Sequence, residues 1–139
     1  MATAVFVMLV FGPAHGRDGM TGPVEAHVVR VLDGDTFEAD ARVWPGHSVR
    51  VKIRIRGIDA PETRSRCEAE KAAGLHARQV LQRLIGDEPV SISNIGGDKY
   101  YGRVLADVST ASGTAVAPAL LDLAVVRPYG GGKRESRCG

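Results

Sequence analysis

An α+β fold, mainly β with two helices around one core, follows from three features of this sequence. Three consecutive runs alternate apolar and polar residues between tight-turn signals, one long stretch of helical spacing follows the third run, and two further β-rich runs lie behind it. At 139 residues the chain can form one such core and is too short for two ordinary domains. Five strands with a helix inserted after the third is the chain order of an OB-type barrel, whose face commonly receives nucleic acid.

Taken in order, the first strand carries Val24, Ala26, Val28 and, after a shift, Val31, and ends at Asp33-Gly34, a strong turn signal between β-rich runs. Residues 36–43 form the second strand, Trp44-Pro45-Gly46-His47 the next turn, and 49–57 the third strand. In that third strand Val49, Val51, Ile53 and Ile55 alternate with Arg50, Lys52, Arg54 and Arg56, which predicts an apolar core face backed by a basic stripe. For Arg50 and Lys52 a solvated sheet face, charged against aggregation, explains the pattern at least as well as phosphate binding. Residues 68–85 have helical spacing, with Ala69, Ala73, Ala77, Val80, Leu81 and Leu84 on one stripe and Gly86 at the C-cap. A helix of that length can plug the open end of a small barrel. Residues 90–95 and 104–108 read as strands joined by a glycine-rich loop, and 116–123 as a short helix with Pro118 near its first turn. The expected organisation is a leader at 1–16, a linker at 17–23, the domain at 24–129 and a C-terminal tail at 130–139.

The formal charge of +2 and pI of 8.7 are compatible with a polyanionic partner without identifying one. Residues 1–16 contain no Asp, Glu, Lys or Arg, and the apolar run 4–11 is followed by Gly12-Pro13-Ala14-His15-Gly16, small residues where a signal peptidase wants them. They read as a secretory signal lacking the usual basic n-region, so the protein is expected to be secreted or periplasmic, and cytoplasmic if the leader is no signal. The run is far shorter than the ~20 residues of a membrane span, so no membrane anchor is expected.

Two cysteines, Cys67 and Cys138, cannot furnish an all-thiolate zinc site. In an exported protein they can pair and tie the tail to the start of the long helix; in the cytosol they stay free thiols. The four histidines, His15, His27, His47 and His76, are scattered without ligand spacing, and Trp44 reads as a hairpin residue.

Three clusters carry the chemistry: Asp33-Gly34-Asp35-Thr36, Arg54-Ile55-Arg56-Gly57-Ile58-Asp59-Ala60-Pro61-Glu62, and Tyr101-Gly102-Arg103. Asp35 and Asp59 fall at the ends of adjacent strand regions, where two carboxylates can share a hard cation. Arginines can brace a phosphate, and a spare glutamate can take a proton from water. Alone, Asp33-Gly34-Asp35 is an ordinary turn and Asp59-Ala60-Pro61-Glu62 an acidic lead-in to a helix. Their joint occurrence is what carries weight.

Residues 33–36, 54–63 and 101–105 resemble the three signature segments of the staphylococcal nuclease (thermonuclease) family, in the family's order, and Leu120-Leu121-Asp122-Leu123-Ala124-Val125-Val126-Arg127-Pro128-Tyr129 resembles its later helix and strand. The similarity runs from about Val28 to Tyr129. It implies an OB-type barrel and a calcium-dependent phosphodiesterase that cuts DNA and RNA, single-stranded or flexible, to 3′-phosphorylated products. By motif, Asp35 and Asp59 would hold Ca2+ together with the backbone carbonyl of Ala60, where the family often has threonine. Arg54 and Arg103 would be the catalytic arginines, and Glu62 the general base or the residue that positions water. Tyr101 and Tyr129 would contact substrate; Tyr100, first of a doublet where the family shows one aromatic, reads as an edge residue. No stable protein partner is implied, and a monomer is expected. The rival from another class is a nuclease-like OB module that binds nucleic acid or protein without cutting. Magnesium is the alternative metal, while zinc lacks clustered histidines.

Overall fold

A computed structural model describes residues 19–135, 137 and 138; the expected leader lies outside the described residues. Its elements are β1 (Gly19–Met20), β2 (Val24–Asp33), β3 (Thr36–Trp44), β4 (His47–Ile55), β5 (Ile58–Asp59), α1 (Glu68–Ile85), β6 (Val90–Gly97), β7 (Arg103–Ser109), α2 (Val116–Asp122) and β8 (Arg127–Pro128). Strands β2, β3 and β4 form an antiparallel meander, β4 runs parallel to β7, β7 pairs with β6, and β6 returns to β2. That circuit closes a five-stranded barrel of OB-type order. The second sheet is small, with β5 antiparallel to β8.

The barrel is filled by Phe37, Ile53, Ile55, Ile58 and Ile92 with Leu81 of α1 and Leu120 of α2, all fully buried. The shift in β2 is a pair of register irregularities, between Val28 and Arg30 and between Val31 and Asp33. Pro45 and Gly46 turn β3 into β4, Gly46 at φ +78° supplying the left-handed position that follows a proline in a tight turn.

Three expectations need correction. Within the segment expected as a linker, the described residues Gly19 and Met20 form a short strand that pairs with Gly96 and Ile95, covering the part of β6 that β2 leaves unpaired. The apolar face of β4 is fully buried only at Ile53 and Ile55, with Val51 half-buried against the core; Val49 is exposed, as is every residue of the β3–β4 hairpin tip from 42 to 50. On the tip's outer side Arg50 is bound by Asp40 and Glu38. Hydrogen bonds from Arg30 to Glu38 and from Arg50 to Asp40 hold both carboxylates below their usual range. Arg50 thus belongs to a surface ion network rather than to a free basic stripe.

The buried line of α1 is Gly74, Ala77, Leu81 and Ile85, whereas Ala69 and Ala73 face solvent. The cause is a close approach to the loop after β5. A Cβ on Gly74 would lie 2.8 Å from the Pro61 carbonyl oxygen and the Glu62 carbonyl carbon, backbone atoms that cannot rotate aside. Gly74→Ala is therefore expected to destabilise the fold by about 1–3 kcal/mol, although alanine is the better helix former. An unchanged midpoint in chemical denaturation would contradict the packing argument.

Candidate active site

The site begins at the β2–β3 turn. Gly34 has an ordinary φ; glycine is required there because a Cβ would meet Ala77 Cβ of α1 at 2.6 Å. The Asp33-Gly34 signal thus marks helix contact as well as a turn. Directly after it, Thr36 stands opposite Arg54 in the β3–β4 ladder, and the Ile55 N–H donates to the Asp35 carbonyl at 2.9 Å. Register therefore brings Arg54 beside Asp35. Gly57, at φ +87°, then turns the chain into β5, whose Asp59 pairs with Arg127 of β8.

Arg54 sits between the two acids. Its Nη2 lies 3.5 Å from Asp35 Oδ2 and 3.6 Å from Asp59 Oδ1, and its Nη1 donates to the Ile55 carbonyl at 2.9 Å. The side chain is only 12% exposed, and the Tyr129 ring lies 5.9 Å from the guanidinium carbon. The Tyr129 N–H is in turn anchored on the Gly57 carbonyl. Asp35 accepts from the Ala60 N–H at 2.7 Å and from Thr36 Oγ1 at 2.8 Å, while Thr63 Oγ1 donates to Asp33. Two buried carboxylates this close are tolerable only with such compensation.

Arg103 opens β7 opposite Lys52 and is bound by Asp98, while the Tyr100 ring stacks 4.4 Å from its guanidinium carbon. Lys52 and Arg54 share one face of β4, and the parallel register sets Arg103 opposite Lys52, so the Arg103 pair lies on the same face of the sheet as Arg54. Tyr100, expected to be an edge residue, thus touches a site side chain as Tyr129 does, whereas Tyr101 is fully exposed. Desolvation of Asp98 works against its charge but is outweighed by hydrogen bonds from Arg103 and the Lys99 N–H, so its carboxyl titrates below the ordinary 3.8. A carboxylate depressed in the folded state stabilises fully above its unfolded pKa and loses that contribution as pH falls through the folded value. Asp98→Asn is accordingly expected to flatten the acid limb of the stability curve below about pH 4. Parallel limbs for the variant and the wild type would contradict this.

The expected tie between Cys67 and Cys138 is present, but sequence reasoning missed the arginines that the tail carries. Arg134 Nε lies 2.7 Å from Asp59 Oδ1, its Nη1 pairs with Glu62, and its Nη2 donates to the Ala60 carbonyl at 3.0 Å. Arg137 Nη2 donates to the Asp59 carbonyl at 2.7 Å and lies 3.8 Å from Asp59 Oδ2. Burial opposes the charge of Arg134, but Asp59, Glu62 and Asp35 outweigh it and hold its pKa above the ordinary arginine range. Cys138 forms a disulfide with Cys67, the N-cap residue of α1, with a Cα–Cα distance of 5.9 Å. The available signal was the basic run Lys133-Arg134 and Arg137 ending at a cysteine.

Asp35, Asp59 and the Ala60 carbonyl suit a divalent cation that prefers oxygen. Asp59 Oδ1 is buried and, despite Arg134 and Arg54 nearby, receives no aligned hydrogen bond, which leaves a lone pair for a ligand. The chain already places a cation of its own against that oxygen. Cys67, Glu70 and Cys138 also converge, but both sulfurs are committed to the disulfide.

Residues 52–130, more than half of the chain, match the family model described as Staphylococcal nuclease homologue. The chain belongs to the staphylococcal nuclease homologue family. It is also 33% identical over 94 residues to an uncharacterized endonuclease of Escherichia coli, and equally to one of Escherichia coli O157:H7. Each match covers 67% of this chain and 53% of the relative, so the chain spans about half the length of these curated relatives. Family membership agrees with the barrel order, with α1 placed between the third and fourth barrel strands. No helix among the described residues is long and apolar enough to cross a membrane.

Proposed function

We propose that this protein is a secreted or periplasmic, calcium-dependent nuclease that hydrolyses phosphodiester bonds of single-stranded or flexible DNA and RNA, leaving 3′-phosphorylated products. The observation that carries the reading is Arg54 lodged between the buried carboxylates of Asp35 and Asp59. Asp35, Asp59 and the Ala60 carbonyl would hold the cation. When bound, it would supply positive charge to a phosphoryl oxygen and make a nearby water more acidic.

The side chains do the rest. As water adds to phosphorus, negative charge grows on the phosphoryl oxygens, and fixed donors are worth most where they need not reorganise. Arg54, fixed by the Ile55 carbonyl and the Tyr129 ring, is such a donor, and its planar fork matches a phosphate as lysine cannot. Arg103, braced by Asp98 and Tyr100, is the second. Glu62, whose side chain is 53% exposed, orients water or accepts its proton, and the 5′ oxygen leaves. Tyr101 and Tyr129 offer faces on which bases stack. Export is supported by the disulfide, since such bonds persist outside the reducing cytosol.

The test is incubation of the purified protein with denatured DNA or RNA in calcium, magnesium or chelator, followed by end-group analysis. Cleavage in calcium, abolished by chelator, with phosphate on the 3′ end is expected. Binding without cleavage under every condition would instead identify a non-catalytic module.

A further inference from the structure

The C-terminal segment does more than pack. Its chain turns at Gly130-Gly131-Gly132, where Gly131 and Gly132 have φ of +107° and +87° and Tyr129 Oη donates to the Gly132 carbonyl. At its other end Cys138 is bonded to Cys67. Between these fixed points the segment delivers Arg134 to three oxygens: it forms an ion pair with Asp59 Oδ1 and donates to the Ala60 carbonyl and to Glu62 Oε1. Two of these are the oxygens assigned above to the cation, and the third belongs to the residue assigned to water.

We propose that Arg134, carried on a disulfide-anchored strap, is a built-in counter-cation that occupies the metal position and must be displaced before a divalent ion can bind. The inference rests on the metal reading of Asp35, Asp59 and Ala60. Arginine stays charged at every relevant pH, so acid or base cannot release it. Release comes from competition with the ion and from slackening of the strap. The Arg134 side chain is 40% exposed, so its ion pairs are partly screened and reversible rather than locked. Arg137, adjacent to the anchor and bonded to the Asp59 carbonyl, keeps the strap in place while Arg134 moves.

A ligand that binds only the open form has its apparent affinity reduced by the open fraction. For an open fraction of about one tenth, the upper end of the usual range for a minor state, removal of that side chain strengthens cation binding about tenfold. Opening the bridge has the same effect. A dithiol reductant gives each cysteine sulfur one electron and one proton and itself becomes a cyclic disulfide, after which the strap has lost its covalent anchor and is held by non-covalent contacts such as that of Arg137 with the Asp59 carbonyl.

The experiment is calorimetric titration of calcium into full-length wild-type protein and Arg134→Gln, each with and without dithiothreitol. Arg134→Gln should bind about tenfold more tightly than oxidised wild type. Reductant should produce most of that gain in wild type and none in the variant. Equal affinities for wild type and variant would overturn the strap proposal and leave the metal site standing. Absence of binding in both would overturn the metal reading, and the strap proposal with it. A reductant effect of equal size in both proteins would also overturn it, because the bridge would then act other than through Arg134.

Discussion

Arg54→Ala is expected to lower turnover on denatured DNA by about 100-fold to 1000-fold, the cost of losing one preorganised donor at a developing oxyanion. The loss should fall on kcat more than on substrate affinity, because the guanidinium is buried beside Asp35 and Asp59, where it meets charge that forms only during reaction. Arg54→Lys should recover little, since an ammonium cannot reproduce contacts to two carboxylates and the Ile55 carbonyl at once. Arg103→Ala should show the same pattern through a separate support, the Asp98 and Tyr100 pair. Single-turnover kinetics on a defined oligonucleotide measure both; near-wild-type turnover in Arg54→Ala would remove that residue from the chemistry.

The second large effect concerns stability. Cys67 and Cys138 are separated by 71 positions, and a closed loop of that size restricts the unfolded chain by about 4 kcal/mol in the chain-entropy account. Replacing both with serine is thus expected to lower Tm by on the order of 10–15 °C for a domain of this size. Calorimetric scans of the wild type with and without reductant should show the same drop. An unchanged Tm would mean that the bridge positions the tail without constraining the fold.

The sequence made some of this legible, for identifiable reasons. Alternation and turn residues placed β2, β3 and β4, and the register of Thr36 against Arg54 is enough to bring Asp35 and Arg54 together. The bounds of α1 were equally plain, because Gly86 ends a long run of helical spacing. Its buried face was not, since periodicity favoured alanines and the real contact is made by Gly74, where a missing side chain admits the loop backbone. Likewise, the Asp-Gly signal at Gly34 read as a turn preference, while its stronger cause is a helix that comes from far along the chain. Arg134 was invisible as a site residue for the same kind of reason. Its partners Asp59, Ala60 and Glu62 lie more than 70 positions away, and although pairing of Cys67 with Cys138 brings the tail back to α1, no local pattern reports which side chain it delivers to the acids. Asp98 was missed because its role is to hold Arg103, which only the folded geometry reveals.

In the proposed function one cation and one phosphate meet between Asp35, Asp59 and Arg54. The most direct measurement is a crystal structure with calcium and a short single-stranded DNA carrying a non-hydrolysable linkage. The expected result is the ion on Asp35, Asp59 and the Ala60 carbonyl, the Arg54 guanidinium on the phosphate, and Arg134 withdrawn from Asp59. An ion or a phosphate bound elsewhere, with Arg54 still closed on both carboxylates, would contradict it.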